Sequence, residues 1–250
     1  MSEPNWIKVY DSRPSAKLRL YCLPYAGGGA SLYRDWSKDL PEHVEVRAIQ
    51  PPGREERLLE EPFDRVQALV HALAGVLEPE LDRPYALFGH SMGALVAFEL
   101  ARTLRARGGP TPSHFFASGH RAPQIACPVE TIHELSAEEF LHELNRRYDA
   151  VPAAARESAE LLELFLPGLR ADVAVCDTYA YTPSAPLDCP ITAVGGDADA
   201  IVPLAQIEAW NEQTSSSFRH ERFSGDHFFV KTARDELLQT LASDLQSFAG

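Results

Sequence analysis

A chain of 250 residues, 45% of them hydrophobic, can bury a full core and fits one large domain or a domain with a sizeable insertion. Its formal net charge of −13 argues against nucleic acid, whose phosphates need a basic face, and equally against an anionic membrane surface. No window approaches the roughly 18 apolar residues of a membrane span and no basic start leads into a long apolar run, so the protein reads as soluble and cytoplasmic. The four cysteines (Cys22, Cys127, Cys176 and Cys189) are scattered without a CxxC pair. They are expected to be buried free thiols rather than a metal site or a disulfide framework.

In chain order, short apolar runs alternate with segments of helical period, the pattern of an α/β protein with a mainly parallel sheet. "KLRLYCLPYAGGG" predicts a strand ending in a glycine loop, and "EVRAIQPPGRE" a second strand stopped by Pro51-Pro52. "DRVQALVHALAGVL" repeats apolar residues every three or four positions, with Asp64 placed as its cap, and predicts a helix. "PYALFGHS" is nearly all apolar, as a strand buried on both faces should be. The following "MGALVAFELARTLRARGG" predicts a helix with arginines in its last turn and Gly108-Gly109 to end it. "HFFASGHRAP" and "PITAVGGDADAIV" repeat the strand-then-loop form, "SFRHERF" is the last strand, and "ELLQTLASDLQSF" closes the chain as a helix. Residues 130–181 break the rhythm with helical segments and no strand. Such an excursion between two strands is expected to be a lid inserted over one end of the sheet.

Gly89-His90-Ser91-Met92-Gly93 fits G-x-S-x-G, with a buried strand before it and a helix after it. A sharp strand-to-helix turn strains the serine backbone and is tolerable only if both flanking residues lack bulk. It exposes the hydroxyl beside a helix N-terminus, where N–H groups favour developing negative charge. A serine hydroxyl needs a base, and in this class of sheet the order is Ser, acid, His, each on a loop at a strand's carboxyl end. His227 in "FSGDHFFV" follows the last strand and is the base by position, whereas His90 lies inside the elbow and reads as structural. "AVGGDADAIVP" offers Asp197 and Asp199 as the acid. The G-x-x-D-x-x-V spacing from Gly196 favours Asp199, and Asp226 is a weak third candidate. For the oxyanion hole the N–H of Met92 is one expected donor, and "PYAGGGAS" supplies the other from Ala26, with Gly27 as fallback.

These residues together resemble the type II thioesterases that accompany polyketide synthases and nonribosomal peptide synthetases. The resemblance runs nearly end to end, through "LYCLPYAGGGASLYRDW", "QPPGREERLLEEP", "FGHSMGALVAFELAR", "LPGLRADVAVCDTY", "GGDADAIV" and "FSGDHFFV". It implies a single α/β-hydrolase domain over 1–250, a mostly parallel central sheet flanked by helices, with the helical lid inserted at 130–181. The implied activity is hydrolysis of acyl groups from the phosphopantetheine thiol of acyl or peptidyl carrier domains, clearing misprimed or stalled chains. It implies no bound metal or cofactor, since the phosphopantetheine arrives on the partner. The family loop often has His where this chain has Tyr25, a departure that bears on the pocket wall, as does Phe228. Because carrier domains of this kind are commonly acidic, the encounter is expected to be weak, with Arg54 or Arg57 near the phosphate. A small-molecule esterase or lipase on the same fold is the nearest rival, and a catalytically silent binding module a remote one.

Overall fold

A computed structural model of the chain describes residues 6–127, 129–148 and 159–248. Seven strands form one sheet: β1 (Ile7–Lys8), β2 (Leu18–Leu23), β3 (Val44–Ile49), β4 (Tyr85–His90), β5 (His114–Ser118), β6 (Ile191–Gly196) and β7 (Phe218–Phe223). Their spatial order is β1-β3-β2-β4-β5-β6-β7. Every neighbouring pair is parallel except the edge pair β1 and β3, where Ile7 lies opposite Ile49. The alternation along β2 shows why both faces are covered. Leu18, Leu20 and Cys22 pack with Trp36, Phe88 and Leu241, while Tyr21 and Leu23 point to the other face with Leu73, Phe98 and Trp210.

Helices α1 (Val66–Leu77) and α2 (Met92–Ala106) cover the second face, and α7 (Arg234–Asp244) contributes to the first. Among the described residues two helices, α3 (Ala137–Tyr148) and α4 (Ala159–Asp177), lie between β5 and β6, and no strand falls in 130–181. They share a small core of their own, Ile132, Phe140, Leu144 and Val173. Ser136 caps α3, its Oγ accepting the Glu139 N–H (3.3 Å) while the Glu139 carboxylate accepts the Ser136 N–H (3.2 Å). The short helices α5 (Leu204–Glu208) and α6 (Phe229–Thr232) follow β6 and β7. Part of the expected excursion, residues 149–158, lies outside the described residues.

Two local expectations need correction, and one strand has no counterpart in the sequence reading. Strand β1 is only two residues long, too short to leave a period in a mixed segment. Asp64 does not cap α1: the helix begins at Val66 after Arg65 with no side-chain cap, and the Asp64 carboxylate pairs with Arg65 instead (3.3 Å). Of the cysteines, Cys22 and Cys189 are buried but Cys176 is half-buried and Cys127 exposed, all four as free thiols.

The junction of β4 and α2 is packed too closely to admit a side chain at either of its glycines. A Cβ on Gly89 would sit 2.1 Å from the Gly93 carbonyl oxygen, and one on Gly93 would sit 2.2 Å from the Leu23 carbonyl oxygen at the end of β2. Backbone atoms of a central sheet cannot yield to that overlap. Gly93→Ala should therefore destabilise by about 1–3 kcal/mol or more, lowering the thermal midpoint by roughly 5–10 °C. A midpoint unchanged in a calorimetric scan would contradict this packing account.

Candidate active site

Because β2, β4, β5, β6 and β7 run parallel, their carboxyl ends share one edge of the sheet, and the loops leaving them meet there. Ser91 leaves β4 with φ 53° and ψ −122°, a left-handed backbone for a residue with a side chain. The loop is held in place by the Ser91 N–H donating to the Ser118 carbonyl at the end of β5 (2.7 Å). The serine side chain is then carried clear of the sheet into a cavity of about 530 Å³.

His227, on the loop after β7, places Nε2 2.9 Å from Ser91 Oγ and Nδ1 2.8 Å from Asp199 Oδ2. A carboxylate can only accept, so Nδ1 carries the proton and Nε2 is left to accept from the Ser91 hydroxyl. Asp199 is fixed in turn by the N–H groups of Ile201 (2.9 Å) and Val202 (3.1 Å), both donating to Oδ1. Burial pushes the Asp199 carboxyl up, but the hydrogen bond and charge of His227 and the two backbone N–H groups outweigh it and hold it below the usual range. Asp199 and His227 are both nearly inaccessible, which keeps this relay dry.

The other aspartates have separate tasks. Asp197 Oδ1 accepts the Gly225 N–H (3.0 Å), and Asp226 Oδ1 accepts the Phe228 N–H (2.8 Å), so both shape the loop that carries His227 without touching its ring. His90 is fully buried and ties the same loop to the elbow. Its Nε2 lies 2.8 Å from the His227 carbonyl, which only accepts, so Nε2–H donates, and Nδ1 accepts from the Ser118 hydroxyl (2.8 Å). Burial first, and the neighbouring His227 charge second, push His90 down to about 3.

Ala26 lines the cavity beside Ser91, and Met92, the first residue of α2, has an N–H without an intrahelical acceptor. The Gly27 N–H is already engaged, donating to Asp172 Oδ2 on α4 (2.7 Å), so it is not free for a ligand. Tyr25 and Phe228 both line the cavity, their ring centroids 5.3 Å apart with Lys231 against each ring. Much of the remaining wall comes from the segment after β5 and from α3 and α4, including Ile125, Ile132, Leu144, Tyr148 and Val173. His120, half-buried and pushed down to about 3 chiefly by desolvation, also lines it. Neither that residue nor Tyr148, whose ring centroid is 5.4 Å from that of His227, stood out from any motif.

Arg54 and Arg57 do not face the cavity mouth. Arg54 is buried in a two-point pair with Asp172, and Arg57 is buried against Glu60 and the Trp6 ring. Neither guanidinium is presented to a partner's phosphate, which corrects the expectation from the basic residues of "PPGREER".

A mostly parallel sheet whose elbow serine, histidine and aspartate meet at its carboxyl edge defines a protein of the α/β-hydrolase class. The chain belongs to the Thioesterase domain family, whose profile matches residues 18–245. It is 43% identical over 241 residues to the gramicidin S biosynthesis protein GrsT of Aneurinibacillus migulanus, spanning 96% of this chain and 94% of that one. Among solved structures it superposes on RedJ, a thioesterase from the prodiginine biosynthetic pathway in Streptomyces coelicolor, with a TM-score of 0.86 and 41% identity over 94% of this chain and 92% of RedJ. The type II thioesterase BorB from the borrelidin biosynthetic cluster gives a TM-score of 0.86 and 36% identity over 98% of each chain.

Two outcomes follow from the geometry. Asp199→Asn should lower kcat by about 10⁴-fold, as loss of the tautomer-fixing acid does in the type case, while Asp197→Asn should cost far less; the reverse order in steady-state kinetics would reassign the acid. The second concerns pH. His90, His114 and His120 are held near 3 to 4 in the fold, mainly by burial, against about 6.5 when unfolded. Their contribution is complete above pH 6.5 and is lost as pH falls toward 4, at roughly 1.4 kcal/mol per pH unit for each histidine. The urea midpoint should therefore drop between pH 7.5 and pH 5, less steeply in His90→Gln; equal midpoints at the two pH values would contradict neutral burial.

Proposed function

We propose that this thioesterase hydrolyses acyl groups held as thioesters on the phosphopantetheine arm of acyl or peptidyl carrier domains, clearing misprimed or stalled chains. The observation that carries the reading is the Ser91–His227–Asp199 relay opening into the cavity. The relatives' places in gramicidin S, prodiginine and borrelidin biosynthesis support the substrate class. No helix of the described residues is long and apolar enough to cross a membrane, and the reading places the enzyme in the cytoplasm beside its carriers.

In the acylation half-reaction Ser91 Oγ attacks the thioester carbonyl carbon as its proton passes to His227 Nε2. The oxyanion is received by the N–H groups of Met92 and Ala26. Collapse breaks the carbon–sulfur bond, and the thiolate takes the proton from His227. Water then attacks the acyl-serine, gives its proton to His227, and the free acid leaves as Ser91 regains the proton. Nothing in these steps draws on a resident metal or cofactor. Tyr25 and Phe228 form the wall next to the reacting carbon, and α3 and α4 act as the lid that shields the acyl chain from water. With Arg54 and Arg57 turned inward and a net charge of −13, an acidic carrier meets no long-range attraction, so engagement is weak and transient.

Ser91→Ala should lose several orders of magnitude in turnover of an acyl-pantetheine thioester, on the order of 10⁶-fold where the whole relay is disabled. The wild-type enzyme should cleave that thioester faster than the matched oxygen ester. Near-normal turnover in Ser91→Ala, or preference for the oxygen ester, would overturn the reading.

A further inference from the structure

Two motif segments, "QPPGRE" and "LPGLRAD", take no part in the relay, yet the fold brings them onto the oxyanion loop. Arg54 and Asp172 are both buried and form a two-point pair, with Nη2 2.7 Å from Oδ1 and Nη1 bonded to Oδ2. That same Oδ2 accepts the Gly27 N–H (2.7 Å), and Arg54 Nη1 also reaches the Gly28 carbonyl (3.3 Å). These two anchors hold the second half of a tight turn, closed by the Gly28 N–H donating to the Tyr25 carbonyl (2.8 Å), with Gly27 at φ 79°. Positive φ at the third position makes it a turn whose central peptide has one preferred orientation. Rotating that peptide would aim the Ala26 carbonyl oxygen at the Asp172 carboxylate.

Helix α4 is placed for this by close backbone packing. A Cβ on Gly168 would lie 2.5 Å from the Gly53 carbonyl oxygen, and the Leu169 side chain lies over Gly27. The "GRE" turn also holds the far side of the glycine loop, where the Glu55 carboxylate accepts from the N–H and hydroxyl of Ser31. A lone carboxylate beside an oxyanion site would oppose the charge that develops there. The guanidinium cancels that charge and keeps the hydrogen bond.

We infer that Asp172, neutralised by Arg54, is a positioning residue that locks the Tyr25–Gly28 turn so that the Ala26 N–H is aimed at the oxyanion, and that the turn is competent only while α4 is seated. The inference rests on the reading of Ala26 as an oxyanion donor. It assigns a transition-state role to a pair that touches no substrate atom.

The test is steady-state kinetics of the full chain with an acyl-pantetheine thioester, alongside inhibition by an alkyl boronic acid that forms a tetrahedral adduct on Ser91. Asp172→Asn should lower kcat by roughly 10- to 100-fold, approaching the loss of one oxyanion donor, with KM within about threefold and boronate affinity weakened in parallel. Arg54→Gln, which leaves the carboxylate unneutralised, should lose more than Asp172→Asn, and the double variant should return to the Asp172→Asn level. If Arg54→Gln does not fold, Arg54→Lys, which keeps the charge without the two-point geometry, should show an intermediate kcat. A lowered melting temperature with kcat and boronate affinity unchanged would reduce the pair to a structural tie and overturn the inference. Turnover surviving in Ser91→Ala would instead bring down the hydrolase reading beneath it, so the two failures are distinguishable.

Discussion

The passage of the chain from β4 into α2 constrains everything else in the molecule. Strand, helix and the end of β2 approach so closely that Gly89 and Gly93 face backbone oxygens at distances no Cβ allows. The residue between them must absorb the reversal with φ 53°, a strain of the order of 1–3 kcal/mol. The surrounding sheet maintains that strain, through the Ser118 carbonyl bonded to the Ser91 N–H and through complete burial of β4. Its consequence is chemical: the side chain stands at the helix N-terminus, above the sheet edge, where the other loops converge.

Convergence is achieved by hydrogen bonds that leave few choices. The His227 loop is fastened by Asp197 to the loop after β6, by Asp226 to its own backbone and by His90 to the elbow. Three polar side chains shape it, and one, Asp199, addresses the imidazole. On the opposite side the oxyanion loop is fastened to α4 by Asp172 and to the "GRE" turn by Arg54 and Glu55. The Ser91 hydroxyl thus lies between two loops held by polar side chains, of which His90, Arg54 and Asp172 are buried and Asp197, Asp226 and Glu55 exposed.

Much of this was legible in the sequence. Apolar runs such as "PYALFGHS" announce strands buried on both faces, and the glycines on either side of Ser91 announce the turn. The position of His227 after the last apparent strand follows from chain order. The choice of Asp199 over Asp197 rested on loop spacing, and the structure shows what spacing could not: which carboxylate points at the imidazole and which at the Gly225 N–H. Other features left no periodic or compositional trace. Strand β1 is two residues long, and Asp64 pairs with its neighbour rather than capping α1. The basic residues of "PPGREER" looked solvent-facing because the partner of Arg54, Asp172, lies more than a hundred residues away. Long-range ion pairs of that kind are invisible to any local pattern, and the carboxylate of this one also accepts the Gly27 N–H of the glycine loop.

The central claim is that Ser91 carries the acyl group between thiol and water. The most direct measurement is acid-quenched mass spectrometry of the enzyme mixed with an acyl-pantetheine thioester, followed by peptide mapping. The account predicts an added acyl mass on the peptide containing Ser91, formed and consumed within the turnover time and absent from Ser91→Ala. Turnover with no adduct, or an adduct on a different residue that forms and decays at the catalytic rate, would contradict it.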